Sequence, residues 1–246
     1  MKVIAVLPAR NVEKTLELTV ADIPKDIVSE IILVDNASKD ATVEIAKKLN
    51  LTVIQHEKDM GYGGSQKTLY RRALDNGADI VVMIHPDYQY DPKLTPHLVA
   101  FIQQGICDIM LGNRIRTRKE ALAGGMPLYK YVSNRFLTFI QNLIMDENLG
   151  EWHSGLRAFS RKVLETIPWE NNSNDYVFDQ EILAQAAAFG FRTGDIPVPA
   201  KYFSDASSIS FSRSVVYGFG TLRVLTEYIL HKTGIKKSPL FQRKKS

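Results

Sequence analysis

His85-Pro86-Asp87-Tyr88-Gln89 follows directly on an apolar run, Ile80 to Ile84, that has the length and composition of a strand. A buried strand ending in His, Asp and Gln delivers metal-capable groups at its carboxyl end, where open α/β sheets bind ligands. Asp87 offers a hard carboxylate oxygen, Gln89 a carbonyl oxygen and His85 an imidazole nitrogen. Such a set suits Mg²⁺ or Mn²⁺ better than a structural zinc. A polar turn between strand and helix is the plainer alternative, so the other strand ends matter.

Those ends are also rich in polar groups. Pro8-Ala9-Arg10-Asn11 follows the first strand and Asp35-Asn36-Ala37-Ser38 the second. An Asp in the latter place can accept hydrogen bonds from a base N–H or a ribose hydroxyl. Gly61, Gly63 and Gly64 allow a close backbone approach to a ligand, with Lys67 one turn further on. Gly112-Asn113-Arg114 follows the fifth strand. Five such loops converging at one sheet edge point to a nucleotide site with a metal. The glycine loop lacks the Gly-Lys-Ser/Thr ending of a Walker loop. It also follows the third strand, not the first, so it is not a dinucleotide fingerprint.

The elements that must position these loops alternate. Strands are expected at Val3 to Leu7, Ile31 to Val34, Leu51 to Gln55, Ile80 to Ile84 and around Asp108 to Leu111. Helices are expected from about Glu13, from Ser38 and Asp40 to about Leu49, and from the glycine loop through Leu74. This predicts an α/β fold with a mostly parallel sheet and helices on both faces. Tyr129 to Met145 has helical apolar spacing and is expected to pack on the sheet. Val215 to Ile229 is a second apolar helix. It precedes a tail carrying Lys232, Lys236, Lys237, Arg243, Lys244 and Lys245 and no acid. An apolar face beside a polybasic segment is a two-signal arrangement for peripheral membrane attachment, though a solvated tail is an equal alternative. Residues 1–211 are expected to form one catalytic domain, and 212–246 a C-terminal amphipathic helix and basic tail.

Composition narrows the class. With 246 residues, 45% apolar and 24% charged, the chain can bury a sizeable core. The single Cys107 excludes a disulfide framework and a cysteine-rich metal site, and reads as a buried, inert thiol. A strand starting at Val3 leaves no room for a signal peptide, and no apolar run reaches the ~18 residues of a membrane span. A cytoplasmic location, peripheral at the membrane face, is expected. The net charge of +4 comes without stacking aromatics in the basic tail, which argues against nucleic acid.

Taken in order, the motifs resemble those of family 2 glycosyltransferases with the GT-A fold. Asp35-Asn36-Ala37-Ser38-Lys39-Asp40-Ala41-Thr42 resembles the family's Asp-Asp-x-Ser-x-Asp-Gly-Thr segment, and Pro8-Ala9-Arg10-Asn11-Val12-Glu13 its Pro-x-Tyr-Asn-Glu opening. His85-Pro86-Asp87-Tyr88-Gln89 lies at its Asp-x-Asp-x-Gln metal motif. Gly112-Asn113-Arg114 is similar to its Gly-x-Arg segment, and His153-Ser154-Gly155-Leu156-Arg157 to its Ser/Thr-Gly-x-Arg segment on the acceptor side. Order and spacing, over roughly residues 2 to 213, look most like the dolichol-phosphate mannosyltransferase branch. The chain departs from the pattern at Val12, Asn36, Ala41 and His85. A neutral His85 can still ligate Mn²⁺, yet it lowers the negative charge of the site.

The resemblance implies a GT-A (Rossmann-like) sheet and inverting, metal-dependent transfer of a sugar from a UDP- or GDP-sugar to a polyprenyl phosphate. Pro8, Arg10, Asn11, Asp35, Asn36, Gly61, Gly63, Lys67 and Asp87 would bind the nucleotide sugar. Asp87, Gln89 and His85 would hold Mg²⁺ or Mn²⁺, and Arg114 would stabilise charge on the leaving diphosphate. His153, Arg157 and Arg213 would hold the acceptor phosphate. That acceptor is already anionic and needs positioning more than a base. A sugar hydroxyl would need a base, which Asp179 or Glu181 could supply. A helix cap is the alternative role for Asp179, and a loop residue without function that for His153. Two other functions stay open: transfer to a glycan hydroxyl in cell-surface polysaccharide synthesis, and a non-catalytic sugar-nucleotide sensor whose site has decayed at His85 and Asn36. An anionic membrane surface is an expected partner, and a homo-oligomer is allowed.

Overall fold

A computed structural model of the chain describes residues 1–199 and 211–242. Among these, seven strands form one sheet: β1 (Val3–Ala9), β2 (Glu30–Asp35), β3 (Thr52–Gln55), β4 (Ile80–Met83), β5 (Ile109–Asn113), β6 (Arg157–Ser160) and β7 (Thr193–Pro197). Their order is β3-β2-β1-β4-β6-β5-β7. Every pairing is parallel except those of β6, which runs antiparallel to β4 and β5. The helices are α1 (Leu16–Asp22), α2 (Thr42–Lys48), α3 (Tyr62–Asp75), α4 (Thr95–Gln103), α5 (Arg118–Ala123), α6 (Leu128–Met145), α7 (Arg161–Thr166), α8 (Phe178–Ala188) and α9 (Phe211–Lys232).

The central strands are continuous apolar runs because both faces are covered. Alternate residues of β4 serve opposite layers. Val81 and Met83 face α3, α8 and α9, whereas Ile80 and Val82 face α1, α2 and α4. The expected mostly parallel sheet with helices on both faces is what the chain forms.

Register sets the functional edge. Ala9 pairs with Asp35, and Asp35 with Gln55, so β1, β2 and β3 end level. Met83 and Leu111 both pair with Arg157. Because β6 is reversed, its first residue lies where its neighbours end. The segment His153 to Leu156 therefore joins the loops that follow β1, β2, β4 and β5. Sequence patterning misses β6 and β7. β6 is four residues long and opens on a buried arginine, and β7 carries Gly194 and Pro197. Such a strand survives at a sheet edge, where β7 lies.

The C-terminal elements differ from expectation in two respects. α6 does not lie flat on the sheet. It buries Leu137, Thr138, Gln141 and Met145 and leaves Leu128, Val132, Phe136, Phe139 and Leu143 exposed. That exposed set recurs every three or four residues and is one continuous stripe. α9 buries Val224, Leu225 and Tyr228 in the main core while Val216 and Phe219 stay exposed. The tail is not wholly solvated either: Leu240 and Phe241 are buried, and Gln185 Nε2 donates to the Leu240 carbonyl at 2.8 Å. Lys232, Lys236 and Lys237 are exposed, and Arg243, Lys244 and Lys245 lie outside the described residues. No helix among the described residues is long and apolar enough to cross a membrane. Cys107 is only half-buried, and burial raises the pKa of its thiol.

Candidate active site

A cleft of about 730 Å³ opens along the carboxyl edge of the sheet. Three non-glycine residues in the loops that shape it adopt left-handed backbone: Asn11, Ala37 and Tyr88, at φ 54°, 58° and 58°. Such conformations are costly away from glycine and cluster where a loop must aim a functional group. Asp87 and Gln89, on either side of the turn at Tyr88, line the cleft with His85. The Gln89 backbone N–H donates to Asp87 Oδ1 at 3.1 Å.

One end of the cleft is lined by Pro8, Arg10, Asn36, Asp59 and Gly61. Asp59 organises it. Its carboxylate accepts from the Gly61 N–H at 2.9 Å and from Asn36 Nδ2 at 2.7 Å, and pairs with Arg10. These contacts, the Gly61 hydrogen bond foremost, lower the Asp59 pKa. Asp35 lies buried beneath Asn36. Its Oδ2 accepts from the Ser38 N–H at 3.2 Å, and its Oδ1 is buried without a hydrogen-bond partner among the described residues. Asn11 fastens two loops together, receiving the Lys39 N–H at 2.8 Å and donating its own N–H to Ser38 Oγ.

The glycine loop works mainly against the chain itself. A Cβ on Gly63 would stand 2.3 Å from the Ser173 carbonyl, and the Gly63 N–H donates to the Asn174 carbonyl at 2.8 Å. Lys67 is likewise turned to Asn172 and Asn174, outside the cleft lining. The glycines thus seat the start of α3 against the segment that precedes α8.

Further along, the cleft gathers His85, Asp87, Gln89, Arg114, His153 and Asp179. Arg114 is braced by the fully buried Glu151, which accepts from Arg114 Nε at 2.8 Å and from its backbone N–H at 2.7 Å. Arg114 Nη2 also donates to the His153 carbonyl at 2.9 Å. Asp179, in the first turn of α8, accepts from Tyr62 Oη at 2.9 Å and Gln66 Nε2 at 2.8 Å, and pairs with Arg157 Nη1 at 2.8 Å. Arg157 itself is 1% exposed and does not line the cleft. Glu181 is 2% exposed and faces Ser173 and Arg223. Arg213 lines the outer part of the cleft. Tyr62, Glu151, Asp59 and Tyr217 are site residues that the sequence reading did not single out. Tyr62 had a signal, an aromatic inside a glycine loop. Tyr217 had none beyond its place in an apolar helix.

His85 stacks on Tyr62 with ring centroids 5.6 Å apart, and Gly155 packs against its edge, where a Cβ would come within 2.5 Å of the ring. Burial lowers the His85 pKa, opposed by nearby Asp87. One carboxylate, one imidazole and one amide on a single wall fit a divalent ion that keeps waters and takes its remaining oxygens from a substrate phosphate. They do not make a complete cage, and no group of three His, Cys, Asp or Glu able to hold a metal occurs among the described residues.

His153 Nδ1 lies 2.9 Å from Tyr217 Oη, and its Nε2 is sealed from solvent. Burial, reinforced by Arg114 and Arg157, lowers its pKa from 6.5 to about 3. Above the unfolded value the ring is neutral in both states. As pH falls below it, the unfolded chain takes up a proton that the folded site refuses, so stability drops, by about 2 kcal/mol at pH 5. The His153→Gln variant is expected to lose that part of the slope. Denaturant titrations of both proteins at about pH 7.5 and about pH 5 check this, and equal slopes would contradict it.

Comparison with known proteins agrees with the geometry. Residues 4–168 match the family described as glycosyl transferase family 2. An uncharacterised protein of Methanocaldococcus jannaschii is 30% identical over 94% of this chain and 92% of its own length. The UDP-N-acetylglucosamine–dolichyl-phosphate N-acetylglucosaminyltransferase of Methanococcus voltae is 29% identical over 87% of this chain and 90% of its own. A crystal structure of Mycobacterium tuberculosis glucosyl-3-phosphoglycerate synthase with Mn²⁺, UDP and phosphoglyceric acid shares the fold. Its TM-score is 0.68, at 21% identity, over 96% of this chain and 80% of its own. With its motifs gathered at one sheet edge and the family match spanning most of that sheet, the chain belongs to glycosyltransferase family 2 and is a glycosyltransferase of GT-A fold.

Proposed function

We propose that the enzyme transfers a sugar, with inversion, from a nucleoside diphosphate sugar to a polyprenyl phosphate at a membrane surface. One observation carries the reading: a single cleft runs from the charged group around Asp87 and Arg114 to apolar side chains of α6 and α9, among them Phe136, Leu137, Val215 and Phe219. α6 also carries the exposed stripe of Leu128, Val132, Phe139 and Leu143. A cleft polar at one end and apolar at the other matches an acceptor with a phosphate head and a hydrocarbon tail. Relatives from Methanococcus voltae and Haloferax volcanii, the latter named a dolichyl-phosphate hexose transferase, support the same acceptor class.

In this reading the Asn36 and Asp59 end takes the nucleoside, and Asp35, which is buried and does not line the cleft, supports that end from behind through the Ser38 N–H. Arg114, held rigid by Glu151, meets the diphosphate where charge develops. His85, Asp87 and Gln89 would hold Mg²⁺ or Mn²⁺, which when bound neutralises charge on the leaving diphosphate. Two hydrogen-bond donors and the Arg157 guanidinium already engage Asp179, which makes it a poor base and favours an acceptor that needs none. A panel of UDP- and GDP-sugars with Mn²⁺ and either polyprenyl phosphate or soluble glycans separates the readings. Label is expected in the organic phase, and label only in glycan would overturn the assignment.

The same reading predicts sedimentation with anionic liposomes at low salt and release at high salt, since exposed basic residues contribute about 1 kcal/mol each near such a surface. Phe139→Glu with Leu143→Glu is expected to weaken binding while sparing turnover of a short-chain, soluble polyprenyl phosphate. A stable dimer that covers α6, with no liposome binding, would contradict the membrane assignment.

A further inference from the structure

The side chains behind His85 form a hydrogen-bond chain whose direction is fixed at one end. Asp179 Oδ1 accepts from Gln66 Nε2 at 2.8 Å and forms an ion pair with the Arg157 guanidinium, whose Nη1 lies at the same distance and which cannot accept. The Gln66 amide is oriented in turn, because its Oε1 accepts from Tyr70 Oη at 2.6 Å. The carboxylate so held can only accept from Tyr62, so the single Tyr62 hydroxyl proton points to Asp179 Oδ2, at 2.9 Å. Tyr62 Oη is then left with lone pairs toward His85 Nε2, 3.1 Å away. That nitrogen must be the donor.

A neutral imidazole has one N–H. With the proton on Nε2, the lone pair is on Nδ1, which has no hydrogen-bond partner among the described residues and belongs to a ring in the cleft wall beside Asp87. We propose that Tyr62 and Asp179 are positioning residues that fix His85 with its proton on Nε2 and its lone pair on Nδ1, the nitrogen offered to a divalent cation. The cation half of this rests on the proposed reading of the cleft. A second-sphere partner that fixes the tautomer and orientation of a ligating histidine typically changes metal affinity about 10- to 100-fold. An imidazole ligand in place of a carboxylate also moves preference toward Mn²⁺ over the harder Mg²⁺. Asp179 thereby acts at a distance, through Tyr62.

Two readouts without sugar or acceptor test this, so the result stands apart from success or failure of the transferase reading. Two-bond ¹H–¹⁵N correlation spectra of the metal-free protein, with His85 assigned by difference from His85→Gln, are expected to show the Nε2–H tautomer. Tyr62→Phe removes the acceptor and is expected to give a tautomer mixture and an affinity for Mn²⁺ alone, read by electron paramagnetic resonance, weaker by about 10-fold or more. Asp179→Asn, whose amide can turn an N–H toward Tyr62, is expected to reverse the chain and move the proton to Nδ1. An Nδ1–H tautomer in the native protein would overturn the proposal. So would a Mn²⁺ affinity that stays within about two-fold in Tyr62→Phe, including the case where neither protein binds the ion.

Discussion

Replacing Asp87 with alanine is expected to lower kcat/KM by about a thousand-fold or more, from the several kcal/mol a bound divalent ion supplies to the leaving group. Asp87 lines the cleft together with His85 and Gln89, and only 8% of it is exposed. The left-handed turn at Tyr88 and the Gln89 N–H hold it at the end of β4. Asp87→Asn keeps the shape and that hydrogen bond but removes the charge, and is expected to be nearly as damaging. Steady-state kinetics on protein with native circular dichroism checks both. Near-normal turnover in either variant would remove Asp87 from the chemistry.

The largest expected loss of stability comes from Arg157→Leu, about 3–5 kcal/mol in denaturant titration. Arg157 is 1% exposed and Asp179 8%, so truncating the arginine strands a buried carboxylate with only Tyr62 and Gln66 to satisfy it. Arg157 Nε also donates to the Ser154 carbonyl at 2.6 Å, which anchors the loop that supports His85 through Gly155. Removing both charges, as Arg157→Met with Asp179→Leu, is expected to recover much of the loss, because two buried ions are then replaced by apolar volume. A single variant as stable as the native protein would mean that the pair carries no such load.

The first half of the fold was legible because its strands are uninterrupted apolar runs and its helices follow clear start signals. The reversed β6 was not, since a four-residue strand that opens on Arg157 has no patterned face to read. Its reversal nevertheless brings His153 to the same edge as Asp87, and the resemblance of its motif anticipated that meeting where periodicity could not. The cleft wall at His85, Asp87 and Gln89 was legible as one motif. The glycine loop was only half so: Gly61 lines the cleft, but Gly63 and Lys67 serve contacts with residues 172–174 that lie more than a hundred positions away. Glu151 gained its role through Arg114, Asp59 through Asn36 and Arg10 as well as its neighbour Gly61, and Tyr62 through Asp179, and the long-range pairings among these are not encoded in local spacing. The apolar stripe of α6 was visible in sequence, but its direction depended on how α6 packs against α8 and α9.

The stereochemistry and linkage of the product test the central claim most directly. With a single active nucleotide sugar and polyprenyl phosphate in liposomes, the organic-soluble product can be analysed by ³¹P and ¹H nuclear magnetic resonance. The account predicts one phosphodiester between the sugar's anomeric carbon and the lipid phosphate, with the anomeric configuration opposite to that of the donor. A lipid diphosphate, a retained configuration, or sugar found only on a soluble hydroxyl acceptor would contradict it.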